Sequence, residues 1–244
     1  MKLQAVIKYK SDHALKSAGI YFVILLIVLA GVISIARVTA SEGSDSYVTF
    51  SGYTVGAWIM MLVIGICSIR EDLRFFIQNG VGRRTTFLAQ WISALELAAL
   101  LAIGGQVFQA LATAITRNMA NVKIGELYSM MYAKDAPSLT LWQHMETFFL
   151  YLGFLAMAYM AGMFFSLMFY KLNKMLQVIV AVALPLLFFG GMPFLWMHFS
   201  APITAVYRFA ASSSWNLLLV FLLVTAGLGT INGLMTRRIP IRGL

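Results

Sequence analysis

Long apolar runs separated by short charged or polar connections organise the chain. A bilayer core of about 30 Å takes roughly 20 apolar residues per helix. Runs of that order fall at residues 18–36, 52–69, 86–114, 147–170, 175–197 and 215–235. The first holds no charge and ends at Arg37, the third carries one acid, Glu96, and the last stops at Thr236-Arg237-Arg238. The pattern predicts an all-α polytopic membrane protein of six transmembrane helices, forming a single transmembrane domain over residues 1–244. The apolar core of residues 18–36 is too long for the h-region of a signal peptide and reads as a retained span. Pro185, Gly190, Gly191 and Pro193 predict a kink or break in the outer half of the fifth span.

Composition agrees with this division. Hydrophobic residues make up 61% of the chain and charged residues 11%, too few charges to solvate a soluble domain of 244 residues. A net charge of +9 raises the question of nucleic acid, but the basic residues sit in short clusters between apolar runs. That is the pattern of membrane flanks, not of a nucleic-acid groove, so no nucleic-acid partner is expected. With the N-terminus inside, thirteen Lys and Arg fall on the cytoplasmic side against five on the other, where Glu42, Asp45, Glu126 and Asp135 offset them. The bias predicts both termini in the cytoplasm of a cell, such as a bacterium, with the chain in its plasma membrane. The single cysteine, Cys67, excludes an internal disulfide framework and any CxxC site.

The connection between the second and third spans, residues 70–86, is the most informative segment. Leu73, Phe76 and Ile77 fall at i, i+3 and i+4 and share one face of a short helix. Glu71 and Asp72 occupy its first turn, where carboxylates complement the helix dipole. Asn79-Gly80 stops it, because both residues tolerate the left-handed conformation of a C-terminal cap. Arg83 and Arg84 anchor the next span at the headgroups, with Thr85 or Thr86 as its N-cap. An ordinary interfacial helix carries the same pattern.

The run Arg70-Glu71-Asp72-Leu73-Arg74, the aromatic pair Phe75-Phe76 and Asn79-Gly80-x-x-Arg83 resemble the permease subunits of type-2 ABC exporters. The layout is similar too, with a short amphipathic basic N-terminal helix before the first span and a short turn between the fourth and fifth. Gly82 departs from the pattern, which more often has Ser there. The resemblance implies that Glu71, Asp72, Leu73, Arg74, Phe75, Phe76, Ile77, Asn79, Gly80, Arg83 and Arg84 form a coupling helix that docks on a separate ABC ATPase subunit. It also implies a second permease copy or related permease, and export of a hydrophobic or amphipathic substrate such as a peptide, toxin, lipid or drug. This chain has no P-loop, since Gly80-Val-Gly-Arg-Arg-Thr lacks the spacing and the lysine that cradle phosphates. It is therefore read as a transport subunit and not an enzyme, binding no cofactor itself, with ATP and Mg on the partner.

Within the spans, Glu96 lies about ten residues into the third, near mid-bilayer at about 1.5 Å per residue. A carboxylate there costs several kcal/mol unless protonated, paired or facing water. It reads either as a polar element of the pathway or coupling machinery, or as a protonated hydrogen-bonding residue beside Ser93. Gln106 and Gln109 are further polar candidates in the same span. Met157 and Met160 belong to a Met- and aromatic-rich pair of spans that suits varied apolar substrates, or simply faces lipid. Gly52-x3-Gly56 and Gly229-x3-Gly233 permit close helix contact within or between subunits. His13, His144, His198 and Glu146 lack any HExxH-like spacing, so no metal site is predicted. Within the outer stretch 116–145, Ile124, Leu127, Met130 and Met131 predict a short membrane-surface helix that caps an exit path or connects two spans. Two other classes compete. A self-powered secondary transporter or channel would use broken helices in both halves, and only residues 185–193 offer one. A membrane-embedded enzyme would need a histidine or second acid level with Glu96.

Overall fold

The architecture is that of a computed structural model, which describes residues 2–41, 48–117, 119, 122–125, 127–132 and 139–237. In chain order the elements are α1 (Lys2–Ser41), β1 (Val48–Phe50), α2 (Tyr53–Gln78), α3 (Arg83–Thr116), β2 (Val122–Ile124), α4 (Leu127–Tyr132), α5 (Leu141–Lys171), α6 (Lys174–Ser212) and α7 (Ser214–Arg237). The fold is all-α apart from a small parallel pairing of β1 with β2, in the register Val48↔Val122. Four helices are long and apolar enough to cross a membrane, namely Leu3–Val38, Arg83–Thr116, Leu141–Lys171 and Ser214–Arg237. Two shorter apolar stretches, Tyr53–Ser68 in α2 and Lys174–Ala183 in α6, accompany them.

Three boundaries differ from expectation. The basic N-terminal arm is not a separate helix, because α1 runs unbroken from Lys2 to Ser41, about 60 Å at 1.5 Å per residue. Val6, Lys10, Ala14 and Ala18 are buried at every fourth position. This one stripe packs against Ala89, Ala94 and Leu97 of α3 and spans the expected boundary. Gly19 alone, at a cost of about 1 kcal/mol, does not interrupt a helix held that way. Likewise α2 continues through residues 69–71, so the expected coupling helix is its final turns. It stops where predicted: Gly80 has φ +71°, the Asn79 side chain and amide both donate to the Phe75 carbonyl at 2.8 and 3.2 Å, and the Val81 amide donates to Phe76 at 2.9 Å.

The N-cap of α3 is Gly82 and not Thr85 or Thr86; the Thr86 hydroxyl instead donates back to the Gly82 carbonyl at 3.2 Å. Arg83 and Arg84 thus occupy the first turn, where cations oppose the helix dipole. Arg83 recovers part of that cost by donating to the Arg237 carbonyl at the end of α7, at 3.0 Å. In α6 the helix passes through positions 185 and 193 and breaks beyond them, at Phe199 (φ −122°, ψ 26°). The part after the break is held from outside the helix. The Tyr132 hydroxyl donates to Ala210 at 2.7 Å, and the Asn216 amide donates to Phe209 at 3.1 Å.

At the centre lies α5, with Tyr151, Leu155, Tyr159, Met160, Met163 and Leu167 fully buried. It runs parallel to α2, and Trp58 stacks on Phe154 at 5.9 Å. Their crossing is backbone on backbone. A β-carbon at Gly65 would sit 2.3 Å from the Tyr159 carbonyl oxygen, and one at Gly162 2.1 Å from that of Leu62. On the other side of α5, the buried Asn232 amide of α7 donates to the Met160 carbonyl at 2.9 Å. Gly229 receives the ring of Trp91 and Gly233 that of Phe87, so this glycine pair packs inside the subunit. Gly56 packs on Tyr21, whereas Gly52 serves the turn before α2 with φ +93° and nothing within 4 Å.

Gly65→Ala and Gly162→Ala are each expected to lower stability by about 1–3 kcal/mol, the usual cost of overpacking, read as a lower thermal midpoint in detergent. Gly227→Ala meets nothing within 4 Å and should raise stability by up to about 1 kcal/mol through helix propensity. A uniform response of all three variants would refute the crossing.

Candidate functional site

The start of α1, the end of α2 and the start of α3 meet at one end of the bundle, where Val6, Phe76, Val81 and Ala89 form a small core. Beside it, between α1 and α2, opens a cavity of about 490 Å³ whose floor comes from α3 and α5. Its rim is aromatic. Tyr9 lies nearly parallel to Phe75, with centroids 5.6 Å apart, and approaches His13 at 5.1 Å. Lys10, Ser17 and Cys67 form the walls, and Ser68, Ser93, Leu97 and Tyr159 the floor. The Tyr159 hydroxyl donates to Ser68 Oγ at 3.1 Å, Ser68 donates to the Gly65 carbonyl at 3.3 Å, and Ser93 to that of Gln90 at 3.2 Å. With their protons so used, these oxygens offer lone pairs to the cavity.

The predicted residues distribute unevenly around this site. The aromatic pair splits: Phe76 is 3% exposed in the small core, while Phe75 is 49% exposed and closes the cavity rim. The face expected to be shared by Leu73, Phe76 and Ile77 is therefore, at Phe76, an internal contact with α1. Asn79, Gly80 and Arg84 are exposed at the turn. The side chains of Glu71, Asp72, Leu73, Arg74 and Ile77 lie outside the described residues.

Glu96 is not level with the middle of the apolar run of α1. It accepts a 2.6 Å hydrogen bond from Ser11, within the basic arm, so it sits toward this end of the bundle. Its partner is Ser11 and not Ser93, because the Ser93 hydroxyl is taken by its own helix. Gln106 donates to the His144 carbonyl at 3.0 Å and ties α3 to the first turn of α5, and Gln109 accepts from the Tyr53 hydroxyl at 3.4 Å. Met160 is fully buried in the core and Met157 half-buried. None of these four lines the cavity. The sequence marks Tyr159 only as one of the Met and aromatic residues of its span, and gives Tyr9 and Ser68 no signal beyond Tyr9 sharing a helix face with His13 at i, i+4.

The opposite end is fastened by another carboxylate. Glu146 Oε2 accepts from Tyr128 of α4 at 2.8 Å and from Ser214 of α7 at 2.7 Å. Burial first, and the Glu146 carboxylate second, push the Tyr128 hydroxyl up to about 12, so it remains a donor throughout the physiological range. Thus α4 is a clasp over α5, α6 and α7. Among the described residues no three His, Cys, Asp or Glu come together as a metal site; His198 stacks on Phe194 at 4.2 Å.

The Ser11 bond needs an acceptor at position 96, not a charge. Glu96→Gln is expected to retain near-native stability, and Glu96→Leu to lose about 1–2 kcal/mol by leaving the hydroxyl unpaired. Thermal unfolding in detergent checks this, and equal losses would show that the charge itself is required. Comparison with family models, with curated proteins and with solved structures finds no match to this chain.

Proposed function

We propose that the chain is the membrane-spanning subunit of an ATP-driven ABC exporter, with six spans and both termini in the cytoplasm. In this reading Tyr53–Ser68, about 24 Å long at 1.5 Å per residue, serves as the second span, and α6 before Phe199 as the fifth. A separate ATPase binds ATP and Mg, and a second permease copy completes the pathway for a hydrophobic or amphipathic substrate. The α2–α3 turn is the docking element. One observation supports this most: the turn is stopped by a left-handed Gly80, and beside it the exposed Phe75 ring stacks on Tyr9 of α1. A partner pressing on Phe75, Asn79 and Gly80 therefore moves α1 and α2 together, the kind of rigid-element shift by which such machines switch. Phe76, buried against α1, acts as the internal brace of that lever.

The test is isolation of the tagged full chain from its native membranes in mild detergent. A second polypeptide carrying a P-loop should co-elute, and the eluate should hydrolyse Mg-ATP. Because Phe75 is half-exposed, Phe75→Asp should fold normally yet lose most of the associated hydrolysis, about tenfold for an interface anchor worth about 1.4 kcal/mol. A chain that elutes without an ATP-hydrolysing partner, and moves substrate into vesicles alone, would overturn the reading in favour of self-powered transport.

A further inference from the structure

Where α3, α5 and α7 meet, the bundle buries polar atoms that its own side chains and backbone do not pair. Gln90 of α3 is 1% exposed and Asn232 of α7 is fully buried. Among the described residues, neither Nε2 nor Oε1 of Gln90 has a hydrogen-bond partner, and nor does Oδ1 of Asn232. Each such atom is costly in an apolar interior, and folded proteins pair nearly all of theirs.

Helix geometry brings these atoms to one level of the bundle. Gln90 lies between Phe87 and Trp91, and Asn232 between Gly229 and Gly233. Those flanking residues are the ones that interlock, Trp91 at Gly229 and Phe87 at Gly233. Gln90 also belongs to the buried stripe of α3 that continues through Ala94, Leu97 and Leu101, and these three pack with Met160 and Met163 of α5. Asn232 reaches α5 from the other side, donating to the Met160 carbonyl at 2.9 Å. That bond fixes the amide, because a flipped Asn232 would set its oxygen against a carbonyl.

Direct pairing of the two amides does not satisfy them. Gln90 Nε2 donating to Asn232 Oδ1 would leave Gln90 Oε1 stranded. One water satisfies all three atoms. A primary amide presents an N–H and its C=O along one edge, so a water seated there accepts from Gln90 Nε2 and donates one hydrogen to Gln90 Oε1. Its second hydrogen goes to Asn232 Oδ1. Three hydrogen bonds are the usual complement of a buried water.

We propose that a single ordered water is bound between Gln90 and Asn232 and links α3 to α7 inside the bundle. The site involves no ATPase, so it stands or falls separately from the exporter reading.

The test pairs a stability cycle with direct observation, both on the full chain. Gln90→Met keeps the side-chain shape and removes the amide. With the water bound, the variant strands Asn232 Oδ1 and should lower the thermal midpoint in detergent by about 3 °C or more. In an Asn232→Leu background no acceptor is stranded, and the same change should cost less than half as much. A crystal structure at a resolution that shows ordered water should place a density peak within hydrogen-bond distance of Gln90 and of Asn232 Oδ1; this decides the matter even where Asn232→Leu fails to fold. A midpoint that rises with Gln90→Met would overturn the proposal, because the amide would then be truly unpaired. Equal losses in the two backgrounds, or a map with the amides in direct contact and no water between them, would overturn it as well.

Discussion

Backbone contact between α2 and α5 sets the spacing of everything around it. At Gly65 and Gly162 each helix presents bare Cα to the carbonyl of the other, which brings the axes closer than any side chain would allow. In a lipid environment apolar surface gains little by leaving its surroundings, so close van der Waals packing and shared hydrogen bonds have to supply the cohesion. With α5 drawn against α2, the Tyr159 hydroxyl reaches Ser68, and the opposite face of α5 is free to receive Asn232 of α7 at the Met160 carbonyl. The remaining helices arrange themselves around that pair, α3 bridging to α1 and α7, and α6 resting outside on α7.

The same crossing shapes the cavity. Because α1 leans on α3 through its Val6, Lys10, Ala14 and Ala18 stripe while α2 is pulled toward α5, the two neighbours in sequence stand apart between Ser17 and Tyr9 before they meet again at Val6 and Phe76. Among the described residues, the Tyr9, His13 and Phe75 rings roof the gap between them. A single aromatic stack therefore joins the rim of the cavity to the exposed end of the α2–α3 turn. Any displacement of that turn is felt at the rim first.

Much of the helical content could be read from the chain because long apolar runs and local caps are properties of neighbouring residues. The Asn79-Gly80 stop is such a case: its left-handed glycine and the Asn79 side-chain bond to Phe75 are contained within six residues. What escaped the sequence depends on partners distant in the chain. The arm joins α1 without a break because α3 offers it one continuous face. Likewise α6 bends at Phe199, beyond Pro185 and Pro193, in the turn before Pro202, which has no amide hydrogen for the helical carbonyl of His198, and Tyr132 and Asn216 hold the segment that follows. Gly65 and Gly162 belong to no glycine repeat, and each acquires meaning only when the other is opposite. For the candidate site, the turn residues were legible from local spacing. The cavity was not, since Tyr9, Ser68 and Tyr159 come from three helices and look like ordinary members of their runs.

The pairing of β1 with β2 bears on how the chain is made. Residues 48–50 and 122–124 lie on either side of the α2–α3 hairpin, so during synthesis the first strand is complete long before its partner exists. The two strands can meet only after both helices between them have been delivered to their places, with the connections emerging at the same face. Strand closure is then a late event that records correct delivery of the first three long helices, and a nascent chain released before Val122 carries those helices with their clasp still open.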